Sequence, residues 1–134
     1  MKIRNGWVGN SSSSSFVLYG YMIDIEEDSK LKDKYKANIL SNDTEFDKYD
    51  FDNWVCDQIQ PNSDDLQLEV YHGLDNYGDD TIFIGLYPDK MKDQETKIHF
   101  KQKITNLIND NFKLHGNEMI CVEDIQMYSD EGYD

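Results

Sequence analysis

The chain has 134 residues and a mass of 15.7 kDa, a length that fits one compact domain. Its 27 acidic and 13 basic residues give a formal net charge of −14. This charge disfavours direct binding to nucleic acid or to anionic membranes, because both need Lys and Arg contacts. The sequence has no apolar run of the roughly 18 residues that a membrane span requires, and its N-terminus lacks the apolar segment of a secretory signal. We therefore expect a cytoplasmic protein.

The first predicted elements are a strand and a short helix. The segment 16–23 is rich in aromatic and β-branched residues, which favours a buried strand. The segment 28–40 predicts a helix, because three apolar residues recur there at helical spacing. These residues are Leu31, Tyr35 and Ile39. The residues that can cap the first turn are Asp28 and Ser29.

A second helix is predicted over 44–58, and Pro61 ends it. The acidic residues Glu45 and Asp47 are placed in its first turn, where the helix dipole favours negative charge. Its predicted buried face consists of Phe51, Trp54, Val55 and Ile59.

A hairpin and a third helix follow. The segments 66–71 and 81–87 predict two strands joined by a long turn. The third helix is predicted to begin after a cap at Asp93, with Glu95 in its first turn, and to end at Gly116. Its predicted buried stripe consists of Phe100, Ile104, Leu107, Ile108 and Phe112.

The predicted elements end with a strand over 119–122 that extends towards residue 128. The order β-α-α-β-β-α-β predicts an α+β fold, with a mainly antiparallel sheet of about four strands and two to three helices packed on one face. We expect a single domain over 1–134, with a serine-rich segment at 1–15 and a frayed acidic tail at 129–134. The two cysteines, Cys56 and Cys121, lack CxxC spacing and a secretory context, so we expect buried thiols rather than a disulfide.

The negative charge is concentrated in the segment 43–89, which holds thirteen acids and a single base, Lys48. One interpretation is a solvated surface that keeps the protein monomeric. A second is an acidic face that binds a basic protein surface, including one that normally grips DNA. A third is weak binding of divalent cations, although no calcium-loop motif is present. The candidate partner-binding residues are Asp47, Asp50, Asp75, Asp79 and Asp80.

Signatures of catalysis are missing from the sequence. There is no phosphate-binding loop, no dinucleotide fingerprint, no H-E-x-x-H motif and no nucleophile elbow. The three histidines, His72, His99 and His115, are isolated in sequence, and we interpret them as structural. We therefore predict no catalytic residue, no metal ligand and no cofactor. The alternative is a small enzyme that uses His72 and the acids of the hairpin loop.

The N-terminal segment resembles the opening of small bacteriophage and bacterial proteins that are largely of unassigned function. The motif residues are Arg4, Asn5, Gly6, Trp7, Asn10, Ser11, Ser12, Ser13, Ser14, Ser15 and Phe16. The chain departs from the pattern at Trp7, where Phe is expected, and at Gly9, where Ser is expected. The stretch 91–96 resembles a second segment of such proteins. The resemblance implies a phage or mobile-element origin and carries over no activity.

Three interpretations of this N-terminal motif stay open. The segment can be structural, with serine hydroxyl groups bonding a bend before the first strand. It can be a recognition tag that a partner or a modifying enzyme reads. It can also be an anion nest, although no lysine follows the serines as in a phosphate-binding loop.

From these features we expect a non-enzymatic accessory protein that acts by binding another protein, such as a host factor, in the cytoplasm of an infected or carrier cell. The expected partner has a basic surface, and no direct binding to nucleic acid is expected. The alternatives are a DNA-mimic inhibitor of a nucleic-acid-binding protein, a capsid or tail accessory protein of a virion, and a small enzyme.

Overall fold

The computed structural model describes residues 17–27, 29–39, 45–61, 66–72 and 80–129. The strands within them are β1 (Val17–Asp24), β2 (Glu69–His72), β3 (Thr81–Leu86) and β4 (Gln126–Ser129). The α-helices within them are α1 (Lys30–Asn38), α2 (Lys48–Asp57) and α3 (Lys97–Asn111). Short 3₁₀ turns occupy Pro88–Lys90, Gly116–Glu118 and Val122–Asp124. None of the described helices has the length and apolar character of a membrane span.

The four strands form one sheet in the order β2-β3-β1-β4, and every neighbouring pair is antiparallel. The predicted α+β fold and the predicted pairing of β2 with β3 are therefore confirmed. Strand β3 lies inside the sheet, and all six of its residues are buried. A strand that is covered on both faces needs apolar side chains at consecutive positions, and Ile82, Phe83 and Ile84 supply them.

The helices pack on one face of the sheet. Side chains alternate between the two faces of a strand, so Ile82, Ile84 and Leu86 share one face of β3. They belong to the main core, together with residues of α1, α2 and α3. A smaller cluster of Leu18, Tyr71 and Phe83 lies on the opposite face.

Helix α1 confirms the predicted cap and part of the predicted stripe. The Ser29 hydroxyl accepts a hydrogen bond from the Lys32 N–H at 3.1 Å, and Leu31 and Tyr35 are buried. The prediction for Ile39 was wrong, because this residue follows the last helical residue and is 54% exposed.

Helix α2 begins four residues later than predicted. The carboxylate of Asp47 accepts hydrogen bonds from the N–H groups of Tyr49 at 2.8 Å and Asp50 at 3.4 Å, so Asp47 is the N-cap and lies before the first turn. Phe51 and Val55 are fully buried, as predicted. The other two predicted residues of this face, Trp54 and Ile59, are half-buried against the core.

Helix α3 has the predicted buried stripe but different ends. Its cap is Thr96, whose hydroxyl accepts a hydrogen bond from the His99 N–H at 3.1 Å, so the predicted cap at Asp93 was wrong. The helix ends before Lys113, which has a positive φ of 56°. The Leu114 N–H then donates to the Asn109 carbonyl at 2.9 Å, which closes the helix without the predicted stop at Gly116.

The predicted strand over 119–122 was wrong. The buried Asn109 side chain donates to the Ile120 carbonyl at 3.2 Å and accepts from the Ile120 N–H at 2.9 Å. Because this amide satisfies the backbone of Ile120, the segment needs no neighbouring strand, and the last strand forms only at β4. Ser129 of β4 pairs with Val17 of β1, so the predicted tail begins inside the sheet. Residues 130–134 lie outside the described residues.

Both cysteines are exposed, which contradicts their predicted burial. Cys56 lies at an exposed position of α2, and Cys121 precedes the 3₁₀ turn at Val122–Asp124. They do not form a disulfide with each other, as predicted.

Gly20 of β1 and Gly85 of β3 face each other in the sheet, and their backbones lie close together. A Cβ on Gly85 would lie 2.6 Å from the Cα of Gly20 and closer still to the carbonyl oxygen of Tyr19. We expect Gly85→Ala to lower the free energy of unfolding by about 1–3 kcal/mol, because backbone atoms have to move apart. Urea denaturation measures this change.

The comparison variant is Gly116→Ala, where φ is +57° but a Cβ meets nothing within 4 Å. It should cost only about 1 kcal/mol, the strain of one left-handed residue. A Gly85→Ala protein at least as stable as the Gly116→Ala protein would contradict the close approach of the two strands.

Candidate functional site

Part of the predicted site lies in the described residues. Asp47, Asp50 and Asp80 surround the start of α2. The N-terminal motif over 4–16 and the two loop acids, Asp75 and Asp79, lie outside the described residues.

Two of the three described acids have partners within the fold. Asp47 caps α2. Asp80 accepts a hydrogen bond from the Lys48 ammonium at 2.9 Å, which ties the start of α2 to the start of β3. Hydrogen bonds from Lys48 and from Glu26 lower the pKa of Asp80. The same bond between Glu26 and Asp80 raises the pKa of Glu26. Asp47 and Asp80 therefore stabilise the fold.

Acids of a different kind lie on α2 and just before it. Glu45, which precedes the cap, and Asp50 and Asp57 of the helix are exposed, and their carboxylates form no ion pair within the described residues. We call these three residues the acidic face of α2. Tyr49, the residue before Asp50, has 70% of its surface exposed. The charge of Asp50 also affects a buried residue. Burial raises the pKa of Tyr35, and the nearby charges of Asp50 and Asp47 raise it further.

A cleft of about 500 Å³ lies beside this face, between α2 and the edge strand β2. Asp52 and Cys56 are one helical turn apart and enter the cleft from α2. His72, the last residue of β2, enters it from the sheet, and its Nε2 is in hydrogen-bond contact with Oδ1 of Asp52. One donor atom from each of the three side chains lies within 4.8 Å of the other two. We call these three residues the cleft triad.

Sequence reasoning missed Asp52 and Cys56 as site residues. The only local signal is their spacing of four residues, which places both on one side of a helix. His72 is twenty residues beyond Asp52, and only the pairing of β2 with β3 brings it back to α2. The predicted enzyme alternative paired His72 with acids of the hairpin loop, whereas the acid in contact with it is Asp52 of the helix.

The geometry of the cleft triad limits its chemistry. In a nucleophile relay the acid and the nucleophile bind opposite nitrogens of the imidazole, which holds them a full ring apart. Here the carboxylate oxygen and the sulfur are themselves within 4.8 Å, so the three groups converge on one point. Carboxylate, thiolate and imidazole groups that converge are able to hold a metal ion.

A second cleft, of about 790 Å³, lies at the start of α3 and is lined by Lys90, Lys92 and Lys103. Glu95 also lines this cleft, and its side chain is only 3% exposed. Its carboxylate accepts hydrogen bonds from the Lys92 N–H at 2.9 Å, from Nδ1 of His99 at 2.6 Å and from the Lys103 ammonium at 3.0 Å. Burial alone would raise the pKa of Glu95, but these bonds outweigh it and lower the pKa to about 2.

This carboxylate makes the stability depend on pH. The pKa of Glu95 in the folded chain is below the value of 4.5 that applies to an unperturbed glutamate, so its contribution is complete above that value and is lost as the pH falls towards 2. We expect the free energies of unfolding of wild type and Glu95→Gln to differ most near pH 7. At about pH 2.5 the difference should be smaller. Urea denaturation at a series of pH values measures it.

A partial control is Lys103→Met, which removes one of the three donors to Glu95. It should retain part of the pH dependence that Glu95→Gln abolishes. A difference between wild type and Glu95→Gln that stays constant from pH 7 to about pH 2.5 would contradict the lowered pKa.

Comparison of the chain with protein-family models, with curated proteins and with solved structures finds no significant match. An α+β architecture by itself assigns no activity, since one fold can carry many functions. The function therefore has to be inferred from the acidic face and the two clefts.

Proposed function

We propose that the chain is a non-enzymatic accessory protein that acts by binding another protein, and that the acidic face of α2 meets a basic surface on that partner. The observation that supports this proposal is the exposure of Glu45, Asp50 and Asp57, whose carboxylates have no ion-pair partner within the described residues. Acids that only stabilise the fold, such as Asp47 and Asp80, are instead engaged within the chain.

The composition of this surface fits a protein partner. Complementary charges speed association and discriminate between partners, and a chain of net charge −14 attracts basic surfaces over long distances. Tyr49 adds a large exposed aromatic side chain to the same helix. Tyrosine is enriched among the residues that dominate the binding energy of interfaces.

A narrower form of the proposal is inhibition of a nucleic-acid-binding protein. Carboxylates on the outside of α2 would compete with phosphates for the same Lys and Arg side chains. The chain itself should not bind duplex DNA at physiological salt. The cellular setting in this proposal, the cytoplasm of a bacterial cell that carries a phage or a mobile element, rests on the N-terminal resemblance.

The experiment is capture of the partner with matched charge variants. Immobilised wild type and the double variant Asp50→Lys/Asp57→Lys are incubated with lysate of bacterial cells, the setting that this proposal implies. The control is Asp93→Lys/Glu123→Lys, which changes the net charge equally at exposed sites away from α2. Asp47 stays unchanged in all variants, because loss of its cap would cost about 1 kcal/mol of stability.

We expect a partner that wild type and control capture equally and that the α2 variant loses. Capture should also weaken as salt rises, because the screening length falls from about 8 Å at physiological ionic strength to about 3 Å at 1 M. Recovery of a nucleic-acid-binding protein would support the inhibitor form, and recovery of capsid or tail proteins would support the virion alternative. Equal capture by both double variants would show that the acidic face has no binding role.

A further inference from the structure

The cleft triad joins two elements that are far apart in sequence, and its three side chains differ in chemistry. Asp52 and His72 are half-buried, with 31% and 25% of their side chains exposed, and Cys56 is an exposed residue that lines the same cleft. A hydrogen bond between Asp52 and His72 would be enough to hold α2 against β2, and it does not require Cys56. The thiol of Cys56 within 4.8 Å of both is an additional donor of a softer kind.

We propose that Asp52, Cys56 and His72 form a zinc site. Zinc accepts carboxylate oxygen, imidazole nitrogen and thiolate sulfur in tetrahedral sites. A calcium or magnesium ion fits this set poorly, because both prefer oxygen ligands throughout. No part of this proposal depends on the acidic face of α2 or on a protein partner.

The distances are close to those that zinc requires. Bond lengths of about 2.0–2.3 Å at tetrahedral angles place the ligand oxygen and nitrogen about 3.3 Å apart, and the sulfur about 3.5 Å from either. The Asp52–His72 contact is shorter than this and would open to admit the ion. The sulfur, now within 4.8 Å of both, would move inward by little more than about 1 Å, which one rotation of an exposed side chain provides.

The site offers three protein ligands, so the fourth position is left to water from the cleft. Three protein ligands and one open position are the arrangement of zinc sites that exchange a ligand, whereas purely structural sites use four protein ligands. The ion would also fasten α2 to the end of β2. Zinc should therefore stabilise the folded chain by mass action.

The test is titration of zinc into the full-length reduced chain, with competition against a chromophoric chelator to measure affinity. Cobalt serves as a spectroscopic substitute, because a thiolate ligand gives a sulfur-to-cobalt charge-transfer band. The ligand variants are Cys56→Ser and His72→Ala. Their matched controls are Cys121→Ser and His115→Ala, which change the same residue types at exposed positions elsewhere.

We expect one zinc ion per monomeric chain, a cobalt band that requires Cys56, and protection of Cys56 but not Cys121 from alkylation when zinc is bound. Each ligand variant should bind at least tenfold more weakly than wild type, since loss of merely an outer-shell partner costs about 10–100-fold. The controls should bind as wild type does. Because Cys56 is exposed, Cys56→Ser should fold normally, and equal unfolding midpoints without zinc verify this.

Three results would overturn the proposal. These are absence of a one-to-one complex, wild-type affinity in Cys56→Ser and His72→Ala, and a zinc ion shared between two copies of the chain. Rapid alkylation of Cys56 that zinc does not slow would point instead to a reactive thiol activated by His72.

Discussion

The pairing of β3 with both β1 and β2 is the constraint on which the rest of the structure depends. All six residues of β3 are buried, and Gly85 meets Gly20 of β1 so closely that no side chain fits between the strands. The other edge of β3 holds β2 in a register that pairs His72 with Ile82. Because β2 lies at the edge of the sheet, His72 reaches the border of the helical layer, and its contact with Asp52 follows from this register.

The way α2 packs on the core determines which of its residues face the cleft and which belong to the acidic face. Phe51 and Val55 are one turn apart and fully buried, which fixes the rotation of the helix about its axis. The next residue after each, Asp52 and Cys56, is turned by about 100° and lies along the cleft beside β2. The rest of the circumference carries the acidic face. One helix therefore carries the exposed carboxylates of Asp50 and Asp57 and, separately, two of the three side chains of the cleft triad.

The periodic features of the sequence were sufficient for the fold class, the hairpin and the buried stripe of α3, because each depends on residues close together in the chain. Local signals failed where a distant group decided the outcome. The segment around Ile120 has the composition of a strand, but the side chain of Asn109 satisfies its backbone. The predicted starts of α2 and α3 were also wrong, because several polar residues near each start are able to act as the cap. The caps are Asp47 and Thr96. The cleft triad was beyond prediction for the same reason: Asp52 and Cys56 acquire a third ligand only when β2 pairs with β3.

The central claim is that α2 and β2 bring the cleft triad together as a zinc site. It is tested most directly by diffraction from crystals grown with zinc, recorded on both sides of the zinc absorption edge. The account predicts one anomalous peak within about 2.0–2.3 Å of Asp52 oxygen, Cys56 sulfur and His72 nitrogen. An anomalous map with no peak in this cleft, or with zinc held by Cys121 or His115 instead, would contradict it.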